Sequence, residues 1–114
     1  MSRHELPAKT IRWKFNDGPM AGKSSFEHEL HDDGTITWRV LDGEAKGASA
    51  QEKEYAAMKI AGNVYVLSYL GASGHTLTTV LNTDTHELVA VASGTNAKGE
   101  KEWFPMTGTF EIVE

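Results

Sequence analysis

Apolar and polar residues alternate along most of the chain with the period of two that is typical of β-strands buried on one face. In residues 10–15, Ile11, Trp13 and Phe15 share one face, while two basic residues occupy the other. The same pattern, separated by glycine-rich turns, predicts seven further strands at residues 25–31, 35–41, 52–60, 63–70, 75–82, 87–93 and 103–113.

The connections between these eight segments are too short for the crossovers that parallel strands need. The sequence therefore predicts an all-β fold, an eight-stranded antiparallel up-and-down sheet. About eight strands are enough for such a sheet to close into a barrel that holds one small ligand, with its last strand against its first.

A hairpin over residues 25–41 is predicted by its turn, because Asp33-Gly34 lies between two alternating runs. Residues 42–50 are small and polar and contain two glycines, which predicts a loop.

Residues 52–60 are compatible with two structures. They are rich in helix formers, yet they also fit a strand with Ala56, Met58 and Ile60 on one face. We favour the strand because Ala61-Gly62-Asn63 makes a tight link to the next strand, and so short a helix would be marginal alone.

The length and composition of the chain limit the number of domains and the classes of binding partner. A chain of 114 residues is the size of one domain, here residues 1–114, and it has no cysteine. Its net charge of −5 disfavours nucleic acid and anionic membranes as partners. The chain has no apolar run long enough to span a bilayer and no apolar signal segment, so we expect a cytoplasmic protein.

Several strands are apolar on both faces. Val64 and Val66 alternate with Tyr65 and Leu67, and residues 87–93 show the same pattern. A monomer would expose one of these faces to water. We therefore expect a homodimer, with one face of these strands lining the barrel and the other buried against a second subunit.

The histidines offer candidate chemistry without a metal site. His28 and His31 lie three positions apart and point to opposite faces of a strand, so they cannot share an ion. His28 is in phase with the inward residues and fits a hydrogen-bonded core histidine. His75 follows Gly74 at a strand start, where it can act as an acid, a base or a ligand donor at the rim, or serve structure alone.

Arg39 has two possible orientations. If Ile36, Trp38 and Val40 form the inner face, Arg39 points to solvent. In the opposite register it lies inside the barrel, where a guanidinium can bind a carboxylate or phenolate through two hydrogen bonds. The role of the aromatic residues also has two alternatives, since they can line a pocket or fill a solid core.

Four segments together resemble a known family: WKFNDGPMAG (13–22), DDGTITWRV (32–40), VLSYLGASGHTLT (66–78) and WFPMTGTFEIV (103–113). They resemble the MoaF-like family of small calycin barrels and, more distantly, the bacterial phenolic acid decarboxylases, which share the lipocalin-like barrel. The most specific parts are the Trp38-Arg39 pair and the stretch at residues 68–78. The resemblance implies a calycin fold with a cavity.

The decarboxylase likeness does not extend to the reaction. The resemblance places Trp13 and Phe15 where those enzymes have two tyrosines, and Gly71 near their catalytic glutamate. These residues cannot hold a carboxylate or transfer a proton. Arg39 matches a cavity arginine, so the resemblance favours the inward register.

Three functions follow from these observations. The first is a binding barrel for a small aromatic or anionic ligand, without a cofactor or metal. The alternative is a lyase or isomerase that acts on a small phenolic or enol substrate, with His75 or a tyrosine as acid-base group. The third is an interaction module with a filled core. The residues expected to bind the ligand are Trp13, Phe15, Arg39, Tyr65, Tyr69 and His75.

Overall fold

The computed structural model describes residues 4–18, 24–71 and 74–114. These residues form nine β-strands, and none of them lies in an α-helix. In particular, the described part of the chain holds no helix with the length and hydrophobicity of a membrane span. The strands are β1 (Thr10–Phe15), β2 (Ser25–Leu30), β3 (Ile36–Val40), β4 (Ser49–Glu52), β5 (Tyr55–Ala61), β6 (Val64–Leu70), β7 (His75–Asn82), β8 (Glu87–Thr95) and β9 (Lys101–Ile112).

All nine strands belong to one antiparallel sheet with the order β4-β3-β2-β1-β9-β8-β7-β6-β5. The last strand pairs with the first, with Trp13 opposite Phe110. The sheet is nearly closed into a barrel, and β4 and β5 are its two edge strands. The predicted all-β antiparallel barrel is confirmed, with nine strands instead of eight, because part of the segment predicted as a loop forms β4.

A short N-terminal segment lies along the free edge of β5. The Glu5 N–H donates to the Ala57 carbonyl at 2.7 Å, and the Glu5 side chain accepts from the Lys59 N–H at 2.9 Å. These bonds satisfy backbone groups that an open edge strand would otherwise expose.

Most of the ambiguous segment at residues 52–60 is a strand, as favoured, but this strand begins at Tyr55, and Glu52 is the last residue of β4. In β5 the side chains of Tyr55 and Ala57 point inward and are buried, whereas Met58 and Ile60 are exposed on the outer face. A register shift follows Lys59.

The predicted hairpin at residues 25–41 is also confirmed, as β2 and β3. Its turn contains Gly34 with a φ of 92°, a conformation that favours glycine. Asp33 accepts hydrogen bonds from the Thr35 N–H and hydroxyl, which stabilise the turn.

The inward side chains form the core, and one end of the barrel is more densely filled than the other. At the filled end, the largest fully buried apolar side chains are Ile11, Ile36, Leu67 and Leu81. The opposite end of the barrel contains a cavity.

Candidate functional site

A cavity of about 300 Å³ opens at the loosely packed end of the barrel. Its volume lies at the lower end of the range for small-molecule sites. The lining side chains come from β1–β4 and β6–β9, so nearly the whole barrel wall contributes. The lining residues are Trp13, Phe15, Phe26, His28, Trp38, Glu52, Tyr69, Gly71, His75, Leu77, Ala92 and Met106.

Aromatic rings form much of the wall because β1, β2 and β3 direct theirs to the same side. Trp13 stacks on the imidazole of His28, with ring centroids 3.8 Å apart and planes 22° apart. Phe15 lies 6.0 Å from Phe26, with tilted rings. Such contacts hold the rings in fixed orientations, and a flat apolar molecule finds preformed surfaces there.

A hydrogen bond between His28 and Tyr69 crosses the barrel interior. The two residues lie on β2 and β6, which are far apart in the sheet order, and the His28 Nε2 is 2.9 Å from the Tyr69 hydroxyl oxygen. Burial lowers the pKa of His28 from 6.5 to about 3, so the imidazole is neutral near pH 7. Burial, and secondarily the nearby Glu52, raises the pKa of Tyr69 above its ordinary value. The pair is therefore an uncharged donor-acceptor unit within the cavity wall.

Glu52 is the buried carboxylate of the cavity lining. It is the last residue of β4, and its Oε2 accepts a hydrogen bond from the Trp38 indole at 3.4 Å. The strand that the sequence did not predict therefore contributes an acidic group to the site.

His75 lies at the mouth of the cavity and is bonded to a second carboxylate. Its Nε2 is 2.8 Å from Glu102 Oε2, and Glu102 Oε1 accepts from the Asn96 amide at 3.1 Å. These hydrogen bonds, from His75 first and Asn96 second, lower the pKa of Glu102. The carboxylate is thus ionised near neutral pH, and the Nε2 of His75 is the donor.

Four of the six residues predicted to bind a ligand meet at this cavity: Trp13, Phe15, Tyr69 and His75. Tyr65 also points inward, opposite Leu81, but it lies four residues before Tyr69 on the same strand. At about 3.3 Å per residue it is about 13 Å away, outside the cavity lining.

Arg39 lies on the outer face of the barrel, so the inward register that the resemblance favoured is wrong. Its Nη2 donates to Glu29, and its Nε lies 3.6 Å from Glu27, which also accepts from Arg12. The reason is the period of two: the inward side chains of β3 are Ile36, Trp38 and Val40, which leaves Arg39 outside.

The histidines are also separated as their spacing predicts. His28 points inward, whereas His31 bonds to Thr37, a residue of the outer face. Among the residues that the structure describes, no cluster of three or more histidine and acidic side chains is arranged to hold a metal ion.

Glu52 and Glu102 are site residues that the sequence analysis missed. No apolar alternation marks the strand that ends at Glu52. Glu102 lies opposite Gly94 in the β8–β9 pair. A glycine within a strand, opposite a polar residue, is the signal that could have identified Glu102.

Comparisons with known proteins agree with the fold. The family model described as "MoaF N-terminal domain" matches residues 2–97. No curated protein matches the chain. Among solved structures, the chain is similar to a candidate β-lactamase from Burkholderia vietnamiensis. The TM-score is 0.72 at 16% identity, and the match covers 99% of this chain and 100% of the other. At this identity the likeness concerns the fold alone.

Proposed function

The chain belongs to the MoaF family, and from that membership and the cavity we propose that it is a small-molecule-binding barrel whose ligand is a small, uncharged aromatic compound with a hydroxyl or carbonyl group. The observation that carries the proposal is the cavity of about 300 Å³ in which aromatic walls surround the neutral His28–Tyr69 pair. Ligand sites are typically apolar with a few polar groups that fix orientation.

The position of Arg39 narrows the ligand class. An anionic ligand was one expectation, but the described residues that line the cavity include neither lysine nor arginine. A buried anion without a countercharge loses its hydration at a large cost in free energy. An uncharged aromatic ligand avoids this cost, and the His28–Tyr69 pair offers it a hydrogen bond.

The cavity also bears on the filled-core hypothesis. A module that acts only through its surface has no need of an internal space, and the volume here is many times that of one water molecule. This favours a ligand-binding role over a purely structural one.

The test uses 2-naphthol as the probe, with tryptophan fluorescence and calorimetry as readouts. Ala92 lines the cavity, so Ala92→Phe places a ring in the ligand's space. We expect it to weaken binding at least about tenfold, or about 1.4 kcal/mol. The matched control is Ala45→Phe, the same change at an exposed position between β3 and β4, and Arg39→Ala is a second control. Both should bind 2-naphthol as the wild type does.

Two results would contradict the proposal. One is that the wild type binds neither 2-naphthol nor the ketone 2-tetralone at millimolar concentration. The other is that Ala92→Phe, with an unchanged far-UV spectrum, binds as tightly as Ala45→Phe.

We also propose that two copies associate through the outer face of β5–β9, which includes the strands β6–β8 whose sequence pattern indicates a dimer. The exposed apolar residues of this face include Val89, Val91, Leu70 and Trp103.

A further inference from the structure

The cavity mouth contains a histidine held by a carboxylate across an intervening strand. His75 on β7, Gly94 on β8 and Glu102 on β9 lie opposite one another in register. A side chain at Gly94 would block the contact, since an added Cβ would lie 3.0 Å from the His75 ring and 2.3 Å from the Gly74 carbonyl. Glycine at this position therefore lets the imidazole reach Glu102.

Glu102 is itself held in a fixed orientation. It accepts from the Asn96 amide at 3.1 Å, and the Asn96 side-chain oxygen accepts from the N–H groups of Lys98 and Glu100 at 2.9 and 3.1 Å. A tight loop thus positions Asn96, Asn96 positions the carboxylate, and the carboxylate positions His75. Oriented carboxylate-histidine pairs of this kind are how proteins fix a tautomer and raise the basicity of the other nitrogen.

The remaining ring nitrogen of His75 is available to a ligand. Because Nε2 donates to Glu102, Nδ1 has the lone pair, and within the described part of the chain it makes no hydrogen bond. The His75 side chain is 25% exposed and lines the cavity, so a ligand in the cavity can contact the imidazole ring.

A hydroxyl group lies on the neighbouring strand of the same cavity. Tyr69 is opposite Leu77, and His75 is the next inward residue along β7. Such diagonal neighbours have Cα atoms about 7–8 Å apart, which leaves room for a carbonyl group and its adjacent carbon between the two side chains. When His28 donates from Nε2, the Tyr69 hydroxyl is free to donate to a ligand oxygen.

We propose that this cavity catalyses reversible proton transfer at the carbon between the ring and the carbonyl of a small arylmethyl ketone or aldehyde, with His75 as the base and Tyr69 as the hydrogen-bond donor to the carbonyl oxygen. The inference rests on the proposed binding function and assigns it a chemistry. Glu102 and Asn96 are positioning residues.

The step balances without a co-reactant. Nδ1 of His75 takes the proton from carbon, the C–H electron pair becomes the new C=C bond, and the carbonyl π electrons move to oxygen. Tyr69 hydrogen-bonds the resulting enolate, and Glu102 stabilises the imidazolium. Return of the proton to carbon restores the ketone, and its return to oxygen gives the enol. In D₂O the returned nucleus is deuterium.

The experiment follows deuterium incorporation at the benzylic carbon of 2-tetralone by proton NMR near neutral pD, with binding measured in parallel by tryptophan fluorescence. Positioned bases contribute about 10²–10⁴-fold to rate, so we expect wild-type exchange at least about 100-fold above buffer. His75→Gln should return exchange to the buffer rate while binding of 2-tetralone is retained.

Glu102→Gln separates a positioning role from a structural one. Loss of the negative charge removes the group that stabilises the imidazolium formed in the step, so we expect exchange to fall about 10- to 100-fold while the binding of 2-tetralone is unchanged. A pair that only ties β7 to β9 predicts lower stability, but no loss of exchange in the folded variant. His86→Asn, at an exposed histidine, is the control and should exchange as the wild type does.

A failure of the proton-transfer proposal can be distinguished from a failure of the binding proposal. If 2-tetralone binds but wild-type exchange equals that of buffer, or if folded His75→Gln exchanges as fast as the wild type, proton transfer is overturned and the binding function stands. If neither 2-tetralone nor 2-naphthol binds, both proposals are overturned.

Discussion

His28 is a titratable side chain placed where water cannot solvate its charge. It is 2% exposed, stacks on Trp13, and has one hydrogen bond, to Tyr69. Its Nδ1 has no partner among the described residues. An unsatisfied buried polar atom costs about 1–3 kcal/mol. An apolar side chain would fill the same space without this cost. His28 therefore fits a role in orienting Tyr69 better than a role in packing.

The pKa of His28 makes stability depend on pH. The unfolded chain binds a proton at this residue below about pH 6.5, whereas the folded chain does so only near pH 3. Between these values unfolding takes up a proton, so the free energy of unfolding falls as pH falls, by about 1.4 kcal/mol per pH unit. We expect urea denaturation between neutral pH and about pH 4 to show this slope, and His28→Phe to reduce it by about that amount.

The control for this prediction is His86→Asn. His86 is exposed and has a φ of 61°, a conformation that asparagine tolerates, so its replacement should leave the slope unchanged. Equal slopes for the wild type and His28→Phe would show that His28 does not titrate in this way.

The orientation of the apolar core residues was predictable from single strands, whereas that of a charged residue between them needed the neighbouring strand. Alternation alone placed Trp13, Phe15 and His28 inward, as observed. The orientation of the Arg39 side chain stayed undecided because the sequence of one strand does not show which residues lie beside it. The Asp-Gly turn of the hairpin brings Arg39 opposite Glu27, so the turn contained the information that the strand lacked.

At the scale of the element, β4 shows what alternation cannot detect. Ser49–Glu52 is four residues long, and only Ala50 and Glu52 face inward, opposite Trp38 and Ile36. A short segment with one small apolar residue has no periodicity to read, and its strand structure comes from pairing with β3. Glu52, a cavity residue, was missed for the same reason.

The longest strand, β9, joins the two halves of the sheet and depends on a glycine to do so. It pairs with both β8 and β1, and Gly108 lies opposite Phe15. An added Cβ there would lie 2.1 Å from the Lys14 carbonyl oxygen, a backbone atom that cannot rotate away. Glycine within a strand often marks such a close backbone approach.

We therefore expect Gly108→Ala to destabilise the protein by about 1–3 kcal/mol, the usual range for forced overpacking. The measurement is the urea midpoint at constant m-value. Thr109→Ala, at the exposed neighbouring position, is the control and should cost less than about 1 kcal/mol. Equal midpoints for the two variants would mean that β1 and β9 can separate at no cost.

At the scale of the whole molecule, the outer surface has two different halves. On β1–β3 the outward side chains are mostly charged and include Arg12, Lys14, Glu27, Glu29 and Arg39. On β5–β9 the central outward positions include no charged residue. We call these positions the apolar face; its residues are Ala56, Met58, Val66, Ser68, Leu70, Thr76, Thr78, Val80, Val89, Val91, Ser93, Trp103, Pro105 and Thr107.

The apolar face has a size that suits a second copy of the chain. Five strands about 4.8 Å apart, with three outward rows about 7 Å apart, cover roughly 24 by 20 Å, or about 480 Å² per copy. Because the barrel wall is convex, two copies would bury at most about 1,000 Å², the lower bound for a specific interface, which fits a weak dimer. Because the charged half lies away from this face, the net charge of −5 on each copy stays in solvent when the faces meet.

We expect the wild-type protein to form a weak dimer at concentrations of tens of micromolar, and Val89→Glu to abolish it. Val89 is 51% exposed within the apolar face, between Val80 and Thr107, and in a symmetric dimer the substitution buries two unpaired carboxylates, at a cost of several kcal/mol. Gln51→Glu adds the same charge on the outer face of β4 and should leave the dimer intact. Light scattering coupled to size exclusion gives the mass of each. A monomeric wild type at about 100 micromolar, or a dimeric Val89→Glu, would leave the apolar face without the partner that its size and lack of charge indicate.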